Sequence, residues 1–202
     1  MPPDPELARS RKALRAELRA RRRALPLAQR MAAARRVARN AARAVRLRPG
    51  LRIAVYAPLP DELDVQPLVS LARKRGCRIY LPRLSDRRRA RMRFVEANGP
   101  LRRNPLGILE PASAHPLNAR WLDAVFVPLV GFDASGMRLG MGAGYYDRAF
   151  AYRRVRTTWH KPRLIGLAYS LQRVASLAPA EHDVRLDTIV TDEEVLQCRI
   201  GC

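Results

Sequence analysis

Ala124–Arg148 reads AVFVPLVGFDASGMRLGMGAGYYDR. Its first seven residues are apolar throughout instead of alternating with polar ones, the pattern of a strand covered on both faces, and therefore of a mostly parallel sheet. The run passes Gly131, a polar turn at Asp133, Ser135 and Gly136, and then Gly140, Gly142 and Gly144 before a helical stretch. That order puts a glycine loop at the carboxyl end of a buried strand. Glycines at alternate positions let backbone N–H groups face a ligand closely, and a helix start behind them adds partial positive charge, so an anion suits the loop. Arg138 would add a full charge. The loop is not a Walker A motif, because no Gly-Lys-Ser/Thr follows, and its GxGxG spacing is not the dinucleotide fingerprint. On the glycines alone, a tight strand-to-helix turn is as good a reading as a phosphate cradle.

Similar short runs flank this stretch. Leu51–Leu59, Gly76–Leu84, Met92–Ala97, Trp121–Val130, Arg163–Ala168 and Asp187–Thr191 read as strands, with Pro67–Arg75 and Tyr145–Arg154 as helices between them. Ser85–Arg91 (SDRRRAR) reads as an exposed loop joining two strands. Towards the N-terminus, Leu7, Leu14, Leu18 and Leu25 keep to one helical stripe, and Arg11, Arg15, Arg19 and Arg22 to another with Lys12 beside it. Pro26 ends that helix, and an alanine-rich second helix over Leu27–Leu47 stops at Pro49-Gly50. The expected fold is α/β with three layers, a mostly parallel central sheet flanked by helices and preceded by two N-terminal helices. Residues 1–202 are expected to form one domain, with 1–48 as its basic N-terminal helical segment.

The chain has 202 residues, of which 48% are hydrophobic, enough for a sizeable core and too many for a disordered basic tail. No apolar run approaches the ~20 residues of a membrane span, and the N-terminus lacks the apolar segment of a secretory signal, so a cytoplasmic location is expected. Cys77, Cys198 and Cys202 have neither the even number nor the spacing of a disulfide framework or zinc site. Net charge is +21, and residues 1–48 carry 15 basic against 3 acidic side chains. Because 36 of the 39 basic residues are arginine, compositional bias is one source of this charge, and a polyanion partner is another. No aromatic residue falls in residues 1–48, so the segment lacks the aromatic-interleaved basic patch of an RNA-binding module. A nucleic-acid-binding α/β protein without catalysis is the alternative reading.

The string GFDASGMRLGMGAGYYDR resembles the phosphate-binding motif of the 5-formyltetrahydrofolate cyclo-ligases, also called methenyltetrahydrofolate synthetases. Further elements are similar in the same order: Arg11-Lys12-Ala13-Leu14-Arg15, Tyr56–Asp64 (YAPLPDELD), Leu81-Pro82-Arg83, Gly107–Pro111 (GILEP), Gly166–Tyr169 with Gln172, and His182-Asp183 with Asp187. The resemblance implies an enzyme that uses ATP to phosphorylate the formyl oxygen of 5-formyltetrahydrofolate. N10 then attacks, and 5,10-methenyltetrahydrofolate, ADP and phosphate leave. The substrate supplies the nucleophile, so positioning and charge stabilisation suffice. With three histidines and no nucleophile elbow, the chain offers little for covalent catalysis.

By the same resemblance, Arg11, Lys12, Arg15 and the loop Arg138, Leu139, Gly140, Met141, Gly142, Ala143, Gly144, Tyr145, Tyr146 match the ATP site. Ala57 and Glu62, with Met141, Gly142, Ala143, Gly144 and Tyr145, match the folate site. Asp147 and Asp183 match Mg²⁺ ligands, and Arg138 and Tyr146 are the catalytic candidates. The implied partners are two small molecules, with no membrane or nucleic acid, and a monomer is expected. Each residue also has a plainer reading: Asp147 as a helix cap, Asp183 as a loop end or partner of Arg185, Glu62 as part of an exposed turn, and the tyrosines as core or rim aromatics. Arg19–Arg23 reads as a solvated extension of the motif. Val65 and Ala143 depart from the family pattern, and Arg11 stands where lysine is usual, leaving open whether it or Lys12 meets phosphate.

Overall fold

Proline and glycine mark most of the points at which the chain changes element. The computed structural model describes residues 5–86, 91–104, 107, 109–112, 115–155 and 161–198. Helix α1 (Pro5–Ala24) gives way at Pro26 to α2 (Leu27–Val45). There follow β1 (Arg52–Ala54), α3 (Gln66–Lys74), β2 (Arg78–Asp86), β3 (Arg91–Glu96), β4 (Leu101–Arg103), β5 (Leu109–Pro111) and β6 (Pro116–Leu117). Then come β7 (Ala124–Pro128), β8 (Gly131–Phe132), β9 (Arg138–Leu139), α4 (Tyr145–Ala149), β10 (Arg163–Leu167), β11 (Thr188–Val190) and β12 (Val195–Gln197).

Eight strands form the main sheet in the order β12-β11-β10-β7-β1-β2-β3-β6. The five central strands from β11 to β2 are parallel, while β12, β3 and β6 each pair antiparallel with their neighbours. Alternate residues divide between two cores. Ile53, Phe126 and Ile165 face α2 and α3, whereas Ala54, Val125, Val127 and Leu164 face the layer holding Phe94 and Phe150. Each large apolar side chain so buried contributes roughly 1.5–3 kcal/mol. This is the expected three-layer α/β arrangement, and the apolar run 124–130 lies at its centre because neighbours cover both its faces.

Three boundaries differ from expectation. The strand expected over Leu51–Leu59 is confined to Arg52–Ala54, with a last ladder bond from the Val55 N–H to Tyr80 O, and Pro58 and Pro60 further on have no N–H with which to resume it. The helix expected over Tyr145–Arg154 breaks at Phe150, which turns fully into the core, and the chain continues as a 3-10 turn over Ala151–Val155. Ser85 and Asp86, expected in a loop, extend β2, with the register shift between Leu84 and Asp86 absorbing one residue; residues 87–90 of that loop lie outside the described residues.

The chain leaves β1 for β2 on one side and later returns to β7 on the other, so β1 and β7 flank a topological switch point. In parallel sheets a ligand crevice forms outside the carboxyl ends of strands at such a point.

Candidate active site

Beyond the ends of β1 and β7 lies a cleft of about 700 Å³. After β1, the chain contributes Tyr56, Ala57, Leu59 and Glu62 to it. Prolines 58 and 60 keep this segment out of the sheet, and it closes on itself: the Glu62 N–H donates to Leu59 O at 2.9 Å, and Glu62 Oε2 accepts the Leu59 N–H at 3.0 Å. Glu62 is therefore buried, not part of an exposed turn. Burial pushes its carboxyl up, opposed by the Leu59 N–H and the Arg22 guanidinium. Burial, and then Glu62, raise the phenols of Tyr56 and Tyr146, which share its surroundings.

Asp133, also buried, builds the hairpin of β8 and β9. Its Oδ1 accepts the Ser135 N–H and hydroxyl at 2.9 and 2.7 Å, and its Oδ2 accepts the Leu177 N–H at 2.8 Å. The polar turn of the motif thus acts as an internal brace. Arg138 follows, buried, donating from Nη1 to Val184 O and from Nη2 to Asp147 Oδ1, both at 2.8 Å. Asp147 Oδ1 also accepts the Val184 N–H at 3.0 Å. Asp147 therefore ties the loop to residue 184 instead of capping α4, and Arg138 is already engaged within the protein while lining the cleft. Gly142 and Gly144 take positive φ, 102° and 69°, so that the loop turns above Arg138 before α4 begins. With five residues, α4 offers little dipole, and positive charge at the cleft comes from side chains.

Helix α1 crosses this end of the sheet. Arg15 Nε donates to Gly140 O at 2.8 Å, and Arg11 Nη2 reaches Asp183 Oδ2 at 2.6 Å, leaving the buried Arg11 Nε without a partner. The same Asp183 oxygen accepts the Ala180 N–H at 2.9 Å, so Arg185 is not its recorded partner. Gly131 permits the close approach: a Cβ there would lie 2.5 Å from Leu18 Cδ1. Further along α1, Arg22 Nη2 and Arg19 Nε meet Asp61 Oδ2 at 2.9 and 3.3 Å, with Arg23 at 3.5 Å. Arg22 is only 2% exposed, which corrects the solvated reading for Arg22 and the half-buried Arg19. Against the upward push of burial, Arg22 and Arg19 hold the Asp61 carboxyl down at about 2.

One cleft thus brings together Arg11, Arg15, Ala57, Glu62, Arg138, the residues 140–147 and Asp183. Lys12 is exposed on α1 and Leu139 is fully buried beneath the loop; neither lines the cleft. Sequence reasoning missed Arg148, Arg154 and His182 and the apolar Pro82, Leu84, Met92 and Pro128, all of which line the cleft. Arg148, Pro82 and His182 stand inside or beside quoted motifs, while Arg154 has no local signal. Among the described lining residues five arginines face three carboxylates, which suits a polyanion beside an apolar group. The recorded bonds of Asp147 and Asp183 use one oxygen each, so a divalent cation with substrate phosphates suits this pair better than a closed protein cage.

Comparison with known proteins points to one family. A profile of the 5-formyltetrahydrofolate cyclo-ligase family matches residues 8–192. The 5-formyltetrahydrofolate cyclo-ligase of Haemophilus influenzae is 34% identical over 189 residues, covering 89% of this chain and 96% of its own. That of Escherichia coli K12 is 35% identical over 151 residues, covering 71% and 79%. The NMR structure of Aquifex aeolicus 5,10-methenyltetrahydrofolate synthetase superposes with a TM-score of 0.78 at 28% identity, covering 95% of this chain and 94% of that one. A 5,10-methenyltetrahydrofolate synthetase from Mycoplasma pneumoniae shares the fold, with a TM-score of 0.71 at 24% identity over 90% and 98%.

Proposed function

Because this chain belongs to the 5-formyltetrahydrofolate cyclo-ligase family, we propose that it uses ATP to convert 5-formyltetrahydrofolate into 5,10-methenyltetrahydrofolate, ADP and phosphate. The formyl oxygen on N5 takes the γ-phosphoryl group and ADP departs. N10 attacks the activated carbon, loses its proton, and the C–O bond to phosphate breaks. What carries the reading is the single cleft at the switch point, lined by five arginines together with apolar residues and a buried carboxylate, Glu62.

In this reading the triphosphate lies along Arg11 and Arg15 and over the loop 139–146, with Lys12 adding charge from the exposed side of α1. Arg11 and Arg15 both line the cleft, where their guanidinium groups supply positive charge to the phosphates. Glu62 accepts pterin N–H groups, and Ala57, Met141, Gly142, Ala143, Gly144 and Tyr145 bound the folate. Arg138, fixed by Asp147 and Val184 O, presents positive charge at a set position, so little reorganisation accompanies phosphoryl transfer. The Tyr146 hydroxyl, kept protonated by burial and by Glu62, is a hydrogen-bond donor at neutral pH. Mg²⁺ held by Asp147 and Asp183 would neutralise phosphate charge. The enzyme works here as a cytoplasmic monomer on two small molecules.

Incubation with 5-formyltetrahydrofolate and MgATP should raise methenyltetrahydrofolate absorbance in step with ADP release. No product above a boiled control would overturn the proposal.

A further inference from the structure

The proposed ATP-facing arginines and the proposed folate acid lie on different parts of the chain, joined by one buried contact. Arg11 and Arg15 precede Leu18 on α1, while Arg19 and Arg22 follow it and close on Asp61. Asp61 immediately precedes Glu62, and the turn bearing both is fixed by the mutual hydrogen bonds of Glu62 and Leu59. We infer that Asp61, gripped by Arg22 and Arg19, is a positioning residue that holds Glu62 in the cleft and couples the seating of α1 to folate binding. The inference rests on the function proposed above.

Several observations favour coupling over a simple surface bridge. Arg22 is 2% exposed and its buried Nε has no partner, so the ion pair of its Nη2 with Asp61 at 2.9 Å, beside the Glu62 carboxyl that it also attracts, is what holds its charge in place. A buried guanidinium that lost this carboxylate would have to leave, taking the carboxyl half of α1 with it. Leu18 provides the apolar anchor of that half, and it already presses against Gly131, so α1 has little freedom to shift and keep both contacts. Movement of α1 therefore moves Asp61, and Glu62 is the next residue. Ligands at the two ends should then help one another, and by linkage each should raise the other's affinity by the same factor.

The test uses the full chain and four variants, with 5-formyltetrahydrofolate and a non-hydrolysable ATP analogue as probes. In the wild type the analogue should tighten folate binding in calorimetry. Asp61→Asn should raise the folate KM by about tenfold, the size of one lost charged hydrogen bond, and reduce the mutual tightening. Arg19→Gln, at a half-buried position that tolerates polar replacement, should fold as the wild type and raise the folate KM by about threefold, as a weaker partner of the same carboxylate. Arg22→Lys, which keeps the charge, should restore part of the affinity and coupling lost in Arg22→Gln. Unchanged folate KM and coupling in Asp61→Asn and Arg19→Gln, with normal turnover, would overturn the inference alone. If Asp61→Asn fails to fold, Arg19→Gln decides by the same criteria. A wild type that binds neither probe would overturn the proposed function instead.

Discussion

Helices α1 and α2 are consecutive and both rich in arginine, yet they use the residue in opposite ways. On α1, Arg11, Arg15, Arg19 and Arg22 each meet a carboxylate or carbonyl oxygen at the rim of the cleft or beside it. On α2, Arg35, Arg39 and Arg43 are exposed without a recorded ion pair, while Arg36 meets Asp192. The buried faces explain the contrast. Helix α2 packs Ala33, Ala34, Val37, Ala38, Ala41 and Val45 on the sheet, a broad apolar face to which Arg30, Arg36 and Asn40 add single polar contacts with Pro60 O, Asp192 and Thr191 O. Helix α1 buries Leu18, packs Leu14 beside it and otherwise depends on charged contacts, which makes its seat sensitive to ligands and pH. Arginine count therefore says little about function, and what lies opposite each guanidinium says much more.

The largest break in this comparison should come on α1. Arg15→Ala and Arg11→Ala should each lower kcat/KM for ATP by ~10- to 100-fold, corresponding to a lost charge-assisted contact of ~1.5–3 kcal/mol. Steady-state kinetics at saturating folate checks this, and wild-type values would detach α1 from the ATP site. On α2 the sensitive position is the core face. Ala41 is 0% exposed, so Ala41→Leu should overpack the helix against the sheet and cost ~1–3 kcal/mol by urea titration, with near-normal activity in the folded fraction.

A smaller effect separates the helices by pH. Asp61 titrates at about 2 in the folded protein against an ordinary 3.8, so the depressed value stabilises the native state above pH 3.8, and this contribution disappears as pH falls through about 2. Melting temperatures across that window should fall more for the wild type than for Asp61→Asn. Parallel curves would show that the carboxylate has no such native-state advantage.

The sheet was legible because its middle strand is a continuous apolar run and five further strands of the main sheet fall within short β-rich runs. The short strands β4, β5, β6, β8, β9 and β12, of two or three residues each, are too brief for an alternation pattern to show. The candidate site was legible through its motif order and not through local chemistry. Pro60-Asp61-Glu62 reads as a surface turn, and the guanidinium groups of Arg22 and Arg19, 39 and 42 residues earlier, make Asp61 an internal anchor. Arg138 read as a free cation for the same reason: its partners Asp147 and Val184 O reach it only after folding. The side of α1 facing the cleft was likewise undecidable between Arg11 and Lys12 until Asp183 marked it.

The smallest expected effect is the sharpest check on the idea that opposing groups decide a charge's role. The triple variant Arg35→Ala/Arg39→Ala/Arg43→Ala removes three charges from a helix that carries no acidic residue, relieving repulsion while exchanging arginine for a better helix former. Stability should therefore stay within about 0.5 kcal/mol of the wild type, and folate turnover should be unchanged, because none of the three lines the cleft. RNA retention on filters offers the opposing outcome. If α2 served a polyanion, the variant should lose retention and its log–log salt dependence should become shallower by roughly 0.7–0.9 for each phosphate contact removed. Equal slopes would leave the charge on α2 as solvated surface, and the functional share of the +21 would then lie with the guanidinium groups gathered at the cleft.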